Sequence, residues 1–206
     1  MEDIAMVNQS PEPENGRETA PSTGAAVTVI IIAHKGTEDV AGKAWDKMLP
    51  GLVKKIITSQ AATLADVLLD LIADEDIADR FVLVPAGCIP CAPVSFEELH
   101  TPLVYVDGQG KRHYDRLPVV LDKDDLVKML CSDDFSPDTV MESICKAKGR
   151  AIEGSFREGN LLTPVLRGNP CEHIVMEALI RKKYLICSAE GLTAITQLLQ
   201  DTMLAE

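Results

Sequence analysis

Residues 26–34 read AVTVIIIAH, and the fold turns on this stretch. A strand with one face in water alternates apolar and polar side chains. Ala26 to Ala33 is instead apolar and β-branched nearly throughout. Such a run is expected of a strand buried on both faces, as in the middle of a parallel sheet.

The following residues keep to that reading. AGKAWDKML (41–49) carries Ala41, Ala44, Trp45 and Met48 at helical spacing, and Pro50-Gly51 stops it. VKKIIT (53–58) is a second short strand. TLADVLLDLIAD (63–74) is an amphipathic helix with Thr63 as N-cap and Leu64, Val67, Leu68, Leu71 and Ile72 as its buried stripe. RFVLV (80–84) is a third strand. Strand and helix alternate, and right-handed crossovers then make the sheet parallel, with helices on both faces. Ligands in such sheets sit beyond the carboxyl ends of the strands. That rule selects His34-Lys35-Gly36, Ser59-Gln60 and the loop from Pro85 to Cys91.

The pattern then changes to an α+β half. PLVYVDGQGKRHYDRLPVVL (102–121) reads as two strands joined at Asp107-Gly108-Gln109-Gly110. DKDDLVKMLC is a short helix capped by Asp122, and SPDTVMESICKAKG is a helix with Ser136 as N-cap, Pro137 at its first position and Gly149 at its end. A Gly-rich connection leads to PCEHIVMEALIRK (helix), KYLICS (strand) and LTAITQLLQDTML (helix). The expected architecture is one α/β domain over 26–206 with a mainly parallel central sheet. Residues 1–25 hold five acids, one arginine and three prolines without an aromatic, the composition of a disordered acidic tail.

Bulk composition narrows the function classes. The 206 residues include 20 basic and 32 acidic side chains, a formal charge of −12, with no Lys/Arg stripe to offset it. That balance opposes phosphate backbones, so a nucleic-acid partner is not expected, while a small anion held locally by backbone amides and helix N-termini stays compatible with it. No apolar run reaches the ~20 residues of a membrane span. The start, Met1-Glu2-Asp3, lacks the basic and apolar regions of a signal peptide, which points to the cytoplasm and to reduced thiols.

Chemistry-bearing residues are few. Cys88-Ile89-Pro90-Cys91 follows a strand as a redox dithiol would, but Pro93 and the short SFEELH leave no long helix to lower a thiol pKa. A zinc site would join Cys88 and Cys91 to Cys171 and His173, whose i, i+2 spacing diverges on a helix. The expectation is therefore no zinc and six free thiols, with Cys131, Cys145 and Cys187 in the core. Asp107 and Asp115 are candidates for paired carboxylates across the hairpin, although Asp107-Gly108 is accounted for by turn chemistry. His34 ends the first buried strand, His100 precedes Thr101-Pro102, and Glu172-His173 opens a helix. Walker, G-x-G-x-x-G, G-x-S-x-G and H-E-x-x-H signatures are absent.

The order VTVIIIAHKG, VKKIITSQ, RFVLVPAGCIPCAPVSFEELHTPLVYV resembles the first half of a GT-A-type glycosyltransferase, a Rossmann-like nucleotide-diphospho-sugar transferase fold, and the likeness runs over residues 26–190. The resemblance implies a nucleotide-sugar donor, bound with a divalent cation such as Mn²⁺ or Mg²⁺. It implies His34 and Lys35 on the nucleotide side, and Pro85, Ala86, Gly87 and Cys88 as the rim of the donor pocket. His100, Glu172 and His173 are then the acid/base candidates. Where the family carries its metal-binding Asp-x-Asp, this chain has Pro85-Ala86-Gly87-Cys88. Three outcomes stay open: a substitute acid, a metal-independent site, or a catalytically degenerate one. The alternative class is a non-catalytic α/β binding or assembly protein with a protein partner.

Overall fold

Thr28–His34 forms the first strand, β1, and neighbours lie on both of its edges. The computed structural model describes residues 28–59, 64–132, 137–148, 150–154 and 161–204. The expected acidic tail (1–25), the caps Thr63 and Ser136, Gln60 and Gly149 lie outside the described residues.

After β1 come helix α1 (Glu38–Met48), strand β2 (Val53–Ser59), helix α2 (Leu64–Ala73) and strand β3 (Arg80–Val84). β1 pairs in parallel with β2 and with β3, in register from Thr28↔Val53 and Thr28↔Phe81. The exposures follow from this central position: Val29 and Ile30 are both fully buried although they point to opposite faces. One face carries Val29, Ile31, Ala33, Val82 and Val84 against Val40, Ala44 and Trp45 of α1. The other carries Ile30, Phe81 and Leu83 against Val67, Leu68 and Leu71 of α2. Leu64 and Ile72 of the expected α2 stripe pack at the edge of that second cluster.

Strand β4 (Cys88–Pro90), helix α3 (Phe96–Leu99), strand β5 (Leu103–Val106), strand β6 (Arg112–His113) and strand β7 (Val119–Asp122) follow. Helices α4 (Lys123–Leu130) and α5 (Pro137–Lys148), strand β8 (Arg150–Glu153), helix α6 (Glu172–Arg181), strand β9 (Tyr184–Ile186) and helix α7 (Ala189–Thr202) complete the order. The sheets are β2-β1-β3-β7, β4-β9 and β6-β5-β8. β3·β7, β4·β9 and β5·β6 are antiparallel, whereas β5·β8 is parallel. The chain is thus an α/β protein with mixed sheets, and the parallel order of the first three strands does not extend to the rest.

Three departures from the sequence reading have local causes. The hairpin at Asp107-Gly110 forms, but its second strand is only Arg112–His113; Pro118 has no N–H for a ladder, and the chain leaves to join the main sheet as β7. The Cys-x-x-Cys loop is partly a strand, with Cys88 opposite Ile186 and Pro90 opposite Tyr184. Cys131 is exposed at the end of α4, while Cys145 and Cys187 are buried as expected. Asp122 caps α4, its side chain accepting from the Asp124 N–H at 3.1 Å. Among the described residues no helix is long and apolar enough to cross a membrane.

The tightest joint between the halves is at Gly87, which has φ of +79°. Its carbonyl accepts from the Cys187 N–H at 2.8 Å, and a Cβ there would stand 2.0 Å from the Cys187 carbonyl oxygen. Gly87→Ala therefore combines left-handed strain with a backbone clash. It is expected to lower unfolding free energy by more than about 2 kcal/mol, read from urea denaturation, whereas Gly108→Ala, which meets nothing within 4 Å, costs little.

Candidate functional site

Side-chain alternation brings His34 and Pro85 to one face of the sheet. Ile30, Ile32 and His34 project to the α2 side of β1, and Phe81, Leu83 and Pro85 do the same along and beyond β3. Past the strand ends they line a cavity of about 190 Å³ with Ala86, Asp115 and Arg116, closed by Leu64 of α2 and Met141 of α5. It lies at the carboxyl ends of β1 and β3, where a parallel sheet leaves its helix-flanked edge open.

Arg116 is the group in this cavity with unmet bonding capacity. Its Nε is buried and has no hydrogen-bond partner among the described residues. The Asp115 carboxylate is 3.8 Å away, close enough for attraction but too far for a hydrogen bond. Partial burial pushes the His34 imidazole below its ordinary pKa; the nearby Glu190 carboxylate opposes that shift and Arg116 adds to it. Glu190 sits in the first turn of α7, where its own backbone N–H and the Ser188 hydroxyl, at 2.8 Å, hold its carboxyl below the usual range. Arg167 acts on Glu190 from a second side, and with Arg116 it also lies near the Tyr105 hydroxyl. The cavity is therefore lined by a largely neutral imidazole and by a guanidinium whose Nε is itself buried, and the positive charge of that guanidinium suits a small oxyanion.

Of the residues expected on the nucleotide side, His34, Pro85 and Ala86 meet in this cavity. Lys35 is exposed and is not among the lining residues. Gly87 and Cys88 turn away from it: Gly87 meets Cys187, and Cys88, 2% exposed, accepts a 3.1 Å hydrogen bond from the Trp45 indole at its carbonyl. The Cys-x-x-Cys sulfurs are therefore core groups. Burial pushes the Cys91 thiol up to about 12 and raises the Cys88 thiol as well, opposite to what redox chemistry needs.

The expected acid/base residues do not share that cavity. The exposed His100 stacks edge-on to Phe96, its Nδ1 3.1 Å from the Phe96 carbonyl, and borders a separate cavity with Arg80 and Asp122. Glu172 and His173 are exposed at the start of α6. His173 Nδ1 lies 3.1 Å from Cys171 Sγ, so these side chains do not diverge: Cys171 is the extended N-cap residue and escapes helical spacing. Among the described residues no group of three or more His, Cys, Asp or Glu side chains gathers. Asp107 is absorbed by its turn, accepting from the Gln109 and Lys111 N–H groups and pairing with His113 at 2.9 Å.

Sequence reading missed Arg116 and Glu190. Arg116 carries no motif and reaches the site only because the chain leaves the hairpin there. Glu190 had a faint signal, since Ser188-x-Glu190 directly follows a strand and opens a helix.

A histidine whose folded pKa is lowered binds fewer protons than in the unfolded chain, so the stability it contributes is present above its ordinary value near 6.5 and is lost as pH falls below it. His34→Gln is expected to lose less stability than the parent between pH 7.5 and 5.5. Paired urea titrations at the two pH values check this.

No protein-family model matches the chain, and no curated protein matches it either.

Proposed function

We propose that this chain is a glycosyltransferase-like protein that binds a nucleotide-sugar, with the phosphate-bearing part at the His34–Arg116 cavity. The observation that carries the reading is the unpartnered Arg116 Nε beside His34, past the carboxyl ends of β1 and β3. Further support is the strand order, in which parallel β2-β1-β3 is extended by the antiparallel β7, compatible with a nucleotide-diphospho-sugar transferase fold. At about 190 Å³ the cavity is smaller than the ~300–1,000 Å³ usual for a whole ligand of drug size, so it takes one moiety of the donor.

A divalent cation does not fit this donor set. Pro85 and Ala86 offer no side-chain oxygen, and Asp115 is a single carboxylate already facing Arg116. The protein's own contribution to a diphosphate is then the Arg116 guanidinium, which supplies fixed positive charge and N–H donors. His34 stands neutral beside it near pH 7 and orients an oxygen by hydrogen bonding.

A second reading is a non-catalytic α/β binding or assembly protein on the same scaffold. The observation favouring it is the dispersal of His100, Glu172 and His173 away from the cavity, so none of the expected acid/base residues stands beside a bound donor.

Calorimetric titration with UDP-, GDP- and CDP-sugars, with and without Mn²⁺, tests the proposal. Saturable binding that Mn²⁺ does not strengthen, weakened about tenfold or more by Arg116→Ala, is expected. Absence of heat with every donor would leave only the second reading.

A further inference from the structure

A larger cavity, of about 300 Å³, opens where β5, β8 and β9 begin and shares no residue with the His34 cavity. Its wall is mostly hydrocarbon, from Leu99, Leu103, Pro118 and Leu161. The polar groups at its edge divide into satisfied and unsatisfied ones.

Glu98 and Lys183 are satisfied. They form an ion pair with each other, and Glu98 also accepts from the Ser95 N–H in the capping box of α3. Their charges cancel at the cavity mouth, so this pair recruits neither a cation nor an anion strongly.

Arg150 and Tyr184 differ. Arg150 is anchored by its backbone N–H, which donates to the Pro102 carbonyl at 2.9 Å, while its guanidinium makes no ion pair with any described residue. Tyr184 is 2% exposed and stacks on Trp45 with ring centroids 6.3 Å apart. Its hydroxyl has no hydrogen-bond partner among the described residues, although Tyr184 forms part of the cavity wall. That hydroxyl is not one of the fully buried unpartnered atoms, so it keeps some access to the adjoining space, from which an occupant can accept its hydrogen bond.

We propose that this cavity is a binding site for a small apolar carboxylate, held by the Arg150 guanidinium and the Tyr184 hydroxyl, with its hydrocarbon against Leu99, Leu103, Pro118 and Leu161. Chemistry selects that class. A guanidinium and a phenol both belong to the lining, and a carboxylate accepts from either. A polyphosphate would meet one unpaired cation and an apolar wall. A cation would meet Glu98, already taken by Lys183. The size, at the lower end of ligand pockets, restricts the occupant to a small aromatic or branched aliphatic acid. The site is independent of nucleotide-sugar binding and stands whether or not that reading does.

Trp45 is the chain's single tryptophan, and its contact with Tyr184 makes its indole N–H resonance a reporter of this cavity. The full chain is titrated with benzoate and 4-methylpentanoate, and separately with benzamide and 4-methylpentanamide, which match them in shape without the charge. Both acids are expected to shift the Trp45 indole signal saturably, with each amide at least about tenfold weaker. Arg150→Gln, at an exposed position, is expected to weaken benzoate about tenfold, and Arg181→Gln, on α6 outside the cavity, to leave it unchanged. Tyr184→Phe removes only the unpartnered hydroxyl, so it retains the parent's fold and also weakens benzoate. Equal binding of acid and amide, undiminished benzoate binding in Arg150→Gln, or no shift with either acid would overturn the proposal.

Discussion

The close approach of Gly87 to Cys187 is the constraint on which the two halves of the molecule depend. As β3 ends, the chain must turn sharply enough to lay Cys88–Pro90 antiparallel to Tyr184–Ile186. Only a residue without a Cβ passes the Cys187 carbonyl at that distance with φ of +79°. Once it does, Trp45 donates to the Cys88 carbonyl from below and stacks on Tyr184, so α1, β4 and β9 share one core. A two-stranded ladder this short would be marginal in water, and its stability here comes from that burial.

The same turn separates structural from chemical groups within a single loop. Pro85 and Ala86 remain on the face that looks into the cavity, and the following residues go into the core. That division explains how a Cys-x-x-Cys sequence comes to hold inert thiols. Burial is the largest influence on Cys88, Cys91 and Cys187 alike, and it disfavours the thiolate at each. Polar chemistry instead collects at chain segments arriving from elsewhere: Asp115 and Arg116 before β7, Arg167, and Glu190 at the start of α7. In a protein with a formal charge of −12, Arg116 and Arg167 both act on the Tyr105 hydroxyl, and the Asp115 and Glu190 carboxylates stand beside them.

The elements legible in the sequence were those whose own residues bury them. Ala26–Ala33 announces a doubly buried strand by its lack of alternation, RFVLV matches β3 residue for residue, and the α2 stripe appears as spaced. A helix start was legible where Asp122 makes the cap itself, whereas α7, capped by Ser188, begins at Ala189 rather than at the expected Leu192. Cys88–Pro90 and Arg150–Glu153 were not legible as strands, being three and four residues long and carrying proline or charge. They are strands because β9 and β5 lie alongside them.

By itself, then, the sequence determined the α/β alternation, the burial of β1 and the rim on which His34 and Pro85 stand, because alternation and helical spacing are local properties of the chain. Only the tertiary structure decided which way the rim residues face and what they meet. Arg116 becomes a cavity residue because β7 runs antiparallel to β3, and Cys88 leaves the cavity because Gly87 permits contact with Cys187. The antiparallel pairings that make the sheets mixed were settled in the same way, by contacts between residues far apart in the chain, such as Cys88 and Ile186. No periodicity within either segment encodes such a contact, since its free energy exists only once both partners have left water.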